Sequence, residues 1–305
     1  MKKKNNNKIK MNRTTSDKIF DVVNIILVLL IILIIAYPII FVLNASFSDP
    51  NRIYDTPLLL YPRGFNVTGY KEVFKNKDIL TGFKNAVIYT GLGTIVNVVV
   101  TTLAAYPLSR PELKGKGFIT MIFTFTMFFN GGLVPTYLVN QQLGIINTIW
   151  VMILPGAVGV YNMILMRTFF QQNIPMDLQE SAYIDGANDL QLLIKVVLPL
   201  ATPIMAVMTM FYGVGRWNSY FDAMIYLQER SKFPLQLILK EILVQNQFGQ
   251  DMNQTIVGSA QAELAALKMT LKYSVVIISS VPVLLFYPIV AKYFEKGIMV
   301  GAIKG

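Results

Sequence analysis

"VVNIILVLLIILIIAYPIIFVLNAS" runs from Val22 to Ser46 without a charged residue. Roughly 20 apolar residues in a helix are enough to cross a bilayer. The stretch is too long for the core of a signal peptide and has no small-residue cleavage site after it, so it reads as a retained membrane anchor.

The rest of the chain repeats the pattern. Of 305 residues, 54% are hydrophobic and 14% charged, and mean hydropathy is +0.50. A water-soluble domain of this length would show amphipathic stripes, whereas here the apolar residues are gathered into blocks. Six candidate spans stand out, at about 22–46, 83–107, 118–138, 146–169, 194–216 and 270–292. From Phe118 to Met166 no charge occurs, and "NQQLG" alone breaks the run. Lys84, Arg167, Arg216 and Lys292 sit near block ends. The expected fold is therefore all-α, a polytopic membrane protein of six transmembrane helices.

Lysine and arginine set the orientation. Residues 1–18 carry seven of them against one acid, so this polar tail is expected in the cytoplasm. Six spans return the C-terminus to the same side. "SRPELKGKG" (109–117), with three basic residues, lands inside, and so does the tail 293–305. The segments 47–82 and 217–269 land outside as extracellular loops of a single transmembrane domain, 19–305. The net charge of +10 is then mostly topology. The basic residues flank spans and form no stripe with interleaved aromatics, which argues against nucleic acid as a partner.

Several chemistries are excluded. The chain has no cysteine and no histidine, which removes thiol chemistry, histidine metal ligands and histidine proton relays. No G-x-x-x-x-G-K-[ST] cradle for a nucleotide is present. No carboxylate pair lies at membrane depth, so the chain reads as a transport protein and not an enzyme. Neither a metal nor a cofactor is expected in it.

What remains is a pathway for a neutral solute. Asn130, Tyr137, Asn140, Tyr161, Asn162 and Trp217 are the candidate lining residues, because amides bond hydroxyls and aromatic faces pack on sugar rings. The alternative for each is a residue that satisfies backbone groups or sits in the interfacial belt. Asn130-Gly131-Gly132 with Pro135 should kink or break the third block. Pro155, Gly156 and Gly159 weaken the fourth.

Between the fourth and fifth blocks lies "ESAYIDGANDLQLLIKVVLPL" (180–200), with acids Glu180, Asp185 and Asp189 after Asp177. Asp177 follows Pro175 near a helix start, where acids suit the positive dipole end. Helical spacing places Leu178, Ala182 and Tyr183 along one side. Gly186 ends the helix, and Asn188 or Asp189 caps the next, which runs into the fifth span. The spacing thus predicts a cytoplasmic elbow over 170–193.

The residues in this elbow resemble the "EAA" loop of ABC-importer permeases. Glu180-Ser181-Ala182, Asp185-Gly186-Ala187 and, thirteen positions after Gly186, Pro199 follow the pattern E-A-A-x-x-D-G-A, spacer, I-x-L-P. Ser181, Leu193 and Val196 depart from it. The resemblance implies the importer type I fold and a coupling helix that docks on a separate ATPase, with Glu180 facing a basic residue there and Gly186 making the turn. ATP and Mg would then be bound in the partner ATPases. Over nearly the whole chain the likeness is to the carbohydrate-importer branch, which includes the maltose permease's second subunit. There a tail ending in Lys-Gly reaches between the two ATPases, which maps to Gly301, Lys304 and Gly305 of "YFEKGIMVGAIKG" (293–305). "FFNGGLVPTYL" (128–138) resembles a sub-branch for complex and acidic oligosaccharides. The implied partners are a second homologous permease, two ATPase subunits, an extracellular solute-binding protein, a carbohydrate substrate and membrane lipid, in a bacterial plasma membrane. The alternative is a stand-alone carrier or channel with no ATPase.

Overall fold

The computed structural model describes residues 14–53, 55, 57–252 and 259–302, and every regular element among them is helical. The chain divides into two compact units between Val67 and Thr68.

The first unit is built on α1, Thr15–Ser46. Thr14 caps it through a reciprocal pair: its Oγ1 accepts from Asp17 N at 3.3 Å, and Asp17 Oδ2 accepts from Thr14 N at 2.9 Å. Most side chains along α1 are exposed Ile, Leu and Val, a surface that suits lipid and not water. After it the chain folds back as a loop. Asn44 Nδ2 donates to Leu59 O, Ser48 Oγ accepts from Arg63 N, and Asp49 N donates to Arg63 O. The Phe47 and Phe65 rings stack 5.8 Å apart.

The second unit holds thirteen further α-helical stretches among the described residues. They are α2 (Thr68–Lys75), α3 (Lys77–Ser109), α4 (Lys116–Phe128), α5 (Leu133–Gln142), α6 (Ile149–Ile153) and α7 (Val160–Asn173), then α8 (Met176–Ile184), α9 (Asp189–Leu192), α10 (Leu198–Leu200), α11 (Thr202–Trp217), α12 (Tyr220–Tyr226), α13 (Leu235–Met252) and α14 (Ser259–Ala302). The stretch 217–269, read as a loop, therefore carries α12, α13 and the start of α14. Lys304 and Gly305 of the C-terminal motif lie outside the described residues, as does most of the tail 1–18. Gly301 falls in the last turn of α14.

By length and apolar character α1, α3 and Ala266–Pro288 each suffice to cross a membrane, and two bent pairs pass together, giving up to five spans among the described residues. The bent pairs are α4 with α5, at 115°, and Asp189–Leu200 with α11, at 84°. The block 146–169 is split into α6 and α7 by residues 154–159. Pro155 supplies no N–H and Gly156 takes φ +66°, so the helix cannot continue through them. The block 194–216, read as one span, bends at Ala201. Pro199 removes one amide from the ladder, and just before it Leu193–Val197 widens into a π turn, with Leu198 N reaching Leu193 O. Pro203 then starts the new helix in its first turn.

The core is three clusters that share α3, two of which also include α11. One joins Ala105, Tyr106 and Leu108 to Met163, Met166 and Phe170 of α7 and to Leu192, Val197, Met208 and Tyr212. A second gathers Val73, Ile79, Ala86, Trp217, Leu235, Ile238 and Val275. A third holds Tyr89, Val151, Met152, Ala223 and Tyr226. Lipid is as apolar as leucine, so such clusters stabilise through close packing and interhelical hydrogen bonds more than through transfer from water.

Candidate functional site

α8 leaves α7 at Pro175, which fixes its own φ and needs no donor at a helix start. Its far end closes as a Schellman turn. Ala187 N donates to Ala182 O at 2.9 Å, Gly186 N donates to Tyr183 O at 3.0 Å, and Gly186 holds the left-handed φ of +79°. Two residues on, Asn188 caps α9 reciprocally with Gln191. Of the two caps open to the sequence, Asn188 performs the capping. Asp189 sits in the first turn, where its Oδ1 accepts from the Tyr183 hydroxyl at 2.6 Å. That bond holds the Tyr183 phenol protonated, its pKa pushed up from 10.0 to about 12.

The packed side of α8 differs from the sequence expectation. Gln179 is buried and Ala182 packs against the cluster around α7, while Leu178 and Tyr183 are exposed. Residues three apart share a helix face, so Gln179 and Ala182 form the inward stripe. Asp177, Glu180 and Ile184 share the outward one, and Ile184 is 86% exposed. Among the described residues the Glu180 carboxylate has no ion pair or hydrogen bond. Ser181, the irregular position of the motif, turns its Oγ back to Leu178 O at 3.0 Å. Small size at this position is kept and its hydroxyl is satisfied locally. Pro199 lies at the opposite end of the segment, two residues before the 84° bend.

The six pathway candidates do not converge on one cavity. Asn130 is exposed at the bend between α4 and α5, where its Oδ1 accepts from Gly132 N at 2.8 Å and stabilises the break. Tyr137 stacks on Tyr226 with centroids 6.0 Å apart. Asn140, on the same helix, is buried, with its amide near the Tyr226 hydroxyl but no partner for Nδ2 within 3.5 Å among the described residues. Tyr161 is exposed and Asn162 half-buried in the first turn of α7. Trp217 is a packing residue: it is 5% exposed, its Nε1 donates to Ser279 O at 3.0 Å, and it meets Phe83 edge-on. It also lines an apolar cavity of about 380 Å³ with Thr90, Thr94, Gly213, Pro282 and Phe286.

One group escapes the sequence reading. Arg216 reads there as a charge flanking a span, but its guanidinium turns inward. It donates to the carbonyls of Met152, Ile153 and Pro155 at 2.9, 2.9 and 3.0 Å and to Asn97 Oδ1 at 3.0 Å. The only signal for this is its place four residues after Tyr212, another inward residue of α11.

No family model matches the chain. It is 37% identical over 290 residues to the polygalacturonan/rhamnogalacturonan transport system permease protein YtcP of Bacillus subtilis (strain 168), covering 95% of this chain and 99% of that one. The melibiose/raffinose/stachyose import permease protein MelC of the same organism is 27% identical, with 81% of this chain and 84% of the relative covered. Among solved structures, a chain of a bacterial ABC transporter involved in the import of the acidic polysaccharide alginate superposes with a TM-score of 0.82 at 32% identity, covering 92% of this chain and 99% of that one. With its apolar helices, the protein is a multi-pass component of the bacterial plasma membrane. The chain belongs to the permease subunits of carbohydrate ABC importers.

Proposed function

We propose that this permease imports an oligosaccharide, driven by ATPase subunits that engage the segment from Glu180 to Pro199. The supporting observation is the outward face of α8. Glu180, Asp177 and Ile184 stand exposed on a helix whose end is locked by the Gly186 turn and the Asn188 cap. An acid beside a bare isoleucine fits a protein cleft that has a basic residue and an apolar floor. In this reading Ser181, Ala182, Asp185 and Ala187 shape the coupling helix, and Gly301, Lys304 and Gly305 at the C-terminus meet the ATPase interface. ATP and Mg belong to those partner chains.

The full topology in this proposal is six spans with both termini cytoplasmic, α6 and α7 making one interrupted span. A second homologous permease completes the pathway, two ATPases power it, and an extracellular binding protein delivers the sugar. Closure of the ATPases would swing α8 and rock the pathway between inward-open and outward-open states. Asn130, Tyr137, Asn140, Tyr161 and Asn162 are the polar groups offered to sugar hydroxyls. Trp217 contributes through packing. Family membership sets aside a stand-alone carrier or channel.

The test uses the reconstituted transporter with its binding protein. Glu180→Gln should lower substrate-stimulated ATP hydrolysis and transport several-fold while the subunits still assemble. Full retention of stimulated hydrolysis would sink the role given to Glu180.

A further inference from the structure

The break between α6 and α7 leaves carbonyls at one helix end and amides at the next start, and such groups are expensive to leave unpaired inside an apolar span. Side chains of two neighbouring helices satisfy them. Arg216 takes the carbonyls of Met152, Ile153 and Pro155, and Asn97 Nδ2 donates to Gly156 O at 3.4 Å. One turn along both helices, the Tyr212 hydroxyl lies 2.6 Å from Thr101 Oγ1 and accepts from Gly159 N at 3.0 Å. Asn97 and Thr101 are four apart on α3, and Tyr212 and Arg216 are four apart on α11, so each pair lines one face of its helix. The result is a clamp of two rungs. The polarity also matches: a cation meets the negative end of α6, and an oxygen meets the amide of Gly159 at the N-cap of α7. Gly93 makes the route possible. A Cβ there would lie 3.1–3.2 Å from Arg216 Cδ, Cγ and Nε.

Two of the helices joined by this clamp, α7 and α11, also carry the coupling segment, α7 leading into α8 and α9–α10 leading into α11. We propose that Arg216 and Tyr212 are positioning residues for transport. They close α7, α8 and α11 into one lever, so that movement imposed on α8 reaches the far side of the pathway without slip. The same bonds occupy the carbonyls of Met152, Ile153, Pro155 and Gly156, which would otherwise be open to a solute. The proposal rests on the coupling role given to α8 above.

The chain has no cysteine, so single labels can be placed directly. Spin labels at Gln172→Cys, at the α8 end of α7, and Leu154→Cys, beside the break, report the two ends of the lever in the complete transporter. In the background of Arg216→Lys, Tyr212→Phe and Gly93→Ala, the ATP-dependent spectral change at residue 172 should persist, while that at 154 shrinks. Sugar transported per ATP hydrolysed should fall several-fold. An unchanged response at 154 with the parent transport ratio overturns the clamp. Absence of any response at 172 in the unsubstituted transporter overturns the coupling reading instead. Should Arg216→Lys fail to assemble, the near-isosteric Tyr212→Phe and Thr101→Val decide the matter by the same two readouts. A general loss of packing would lower both responses together and would also count against the proposal.

Discussion

Gly186 offers a clean separation of backbone strain from side-chain fit. Its φ is +79°, and a Cβ built there meets nothing within 4 Å. Any cost of substitution is therefore conformational. A non-glycine residue in the left-handed region costs about 1–2 kcal/mol. Alanine should fall near the lower figure. Asparagine, which visits that region more readily, should cost about half as much, and β-branched valine about 2 kcal/mol. About 1 kcal/mol is roughly a fivefold shift in the equilibrium between closed and open turn. Both amides that close the turn, Gly186 N to Tyr183 O and Ala187 N to Ala182 O, exchange only when it opens. Hydrogen exchange of the peptide covering 182–190, in the assembled transporter, should therefore accelerate in the order Gly, Asn, Ala, Val. Loss of substrate-stimulated ATP hydrolysis should follow the same order. The reasoning is refuted if valine exchanges no faster than glycine, or if asparagine is worse than alanine.

Two further outcomes are expected. Tyr183 donates to Asp189, and its raised pKa means that this bond contributes below the ordinary tyrosine value of 10.0 and is lost as pH rises toward about 12. The difference in tyrosinate absorbance between the parent and Tyr183→Phe should show one tyrosine ionising near that upper value; ordinary titration would mean that the bond is absent in solution. Trp217→Phe keeps a ring beside Phe83 but drops the bond to Ser279 O, for about 1 kcal/mol, whereas Trp217→Ala empties a buried site for about 3–5 kcal/mol. Thermal unfolding of the purified protein measures both. A large loss of sugar binding with stability intact would place Trp217 in the pathway after all.

Signals that act within a few residues are readable from the chain alone. The first block coincides with α1, the second with α3, and Asn130-Gly131-Gly132 does break its helix. Gly186 ends α8 and Asn188 caps α9, because turn and cap chemistry is local. Non-local features are hidden. The run 194–216 reads as one span because Pro199 and Pro203 also occur within bent spanning helices, and only the packed neighbours decide for a bend of 84°. Arg216 reads as a flanking charge because its carbonyl partners lie more than sixty residues away in sequence. The inward face of α8 is obscured for a similar reason. Leu178 and Tyr183 are apolar enough for a core, but the cluster beneath the helix admits Gln179 and Ala182.

The bare Ile184 has a consequence for biogenesis. On the topology proposed above, a newly inserted permease without its ATPases carries a hydrophobic tag on the cytoplasmic side, Ile184 of α8, with Leu190 of α9 also exposed. Chaperones and quality-control proteases recognise such surface, so an orphan subunit should be short-lived and docking of the ATPase should protect it. On the coupling role proposed for α8, the side chains that transmit force would thus also set subunit stoichiometry while the machine is being built.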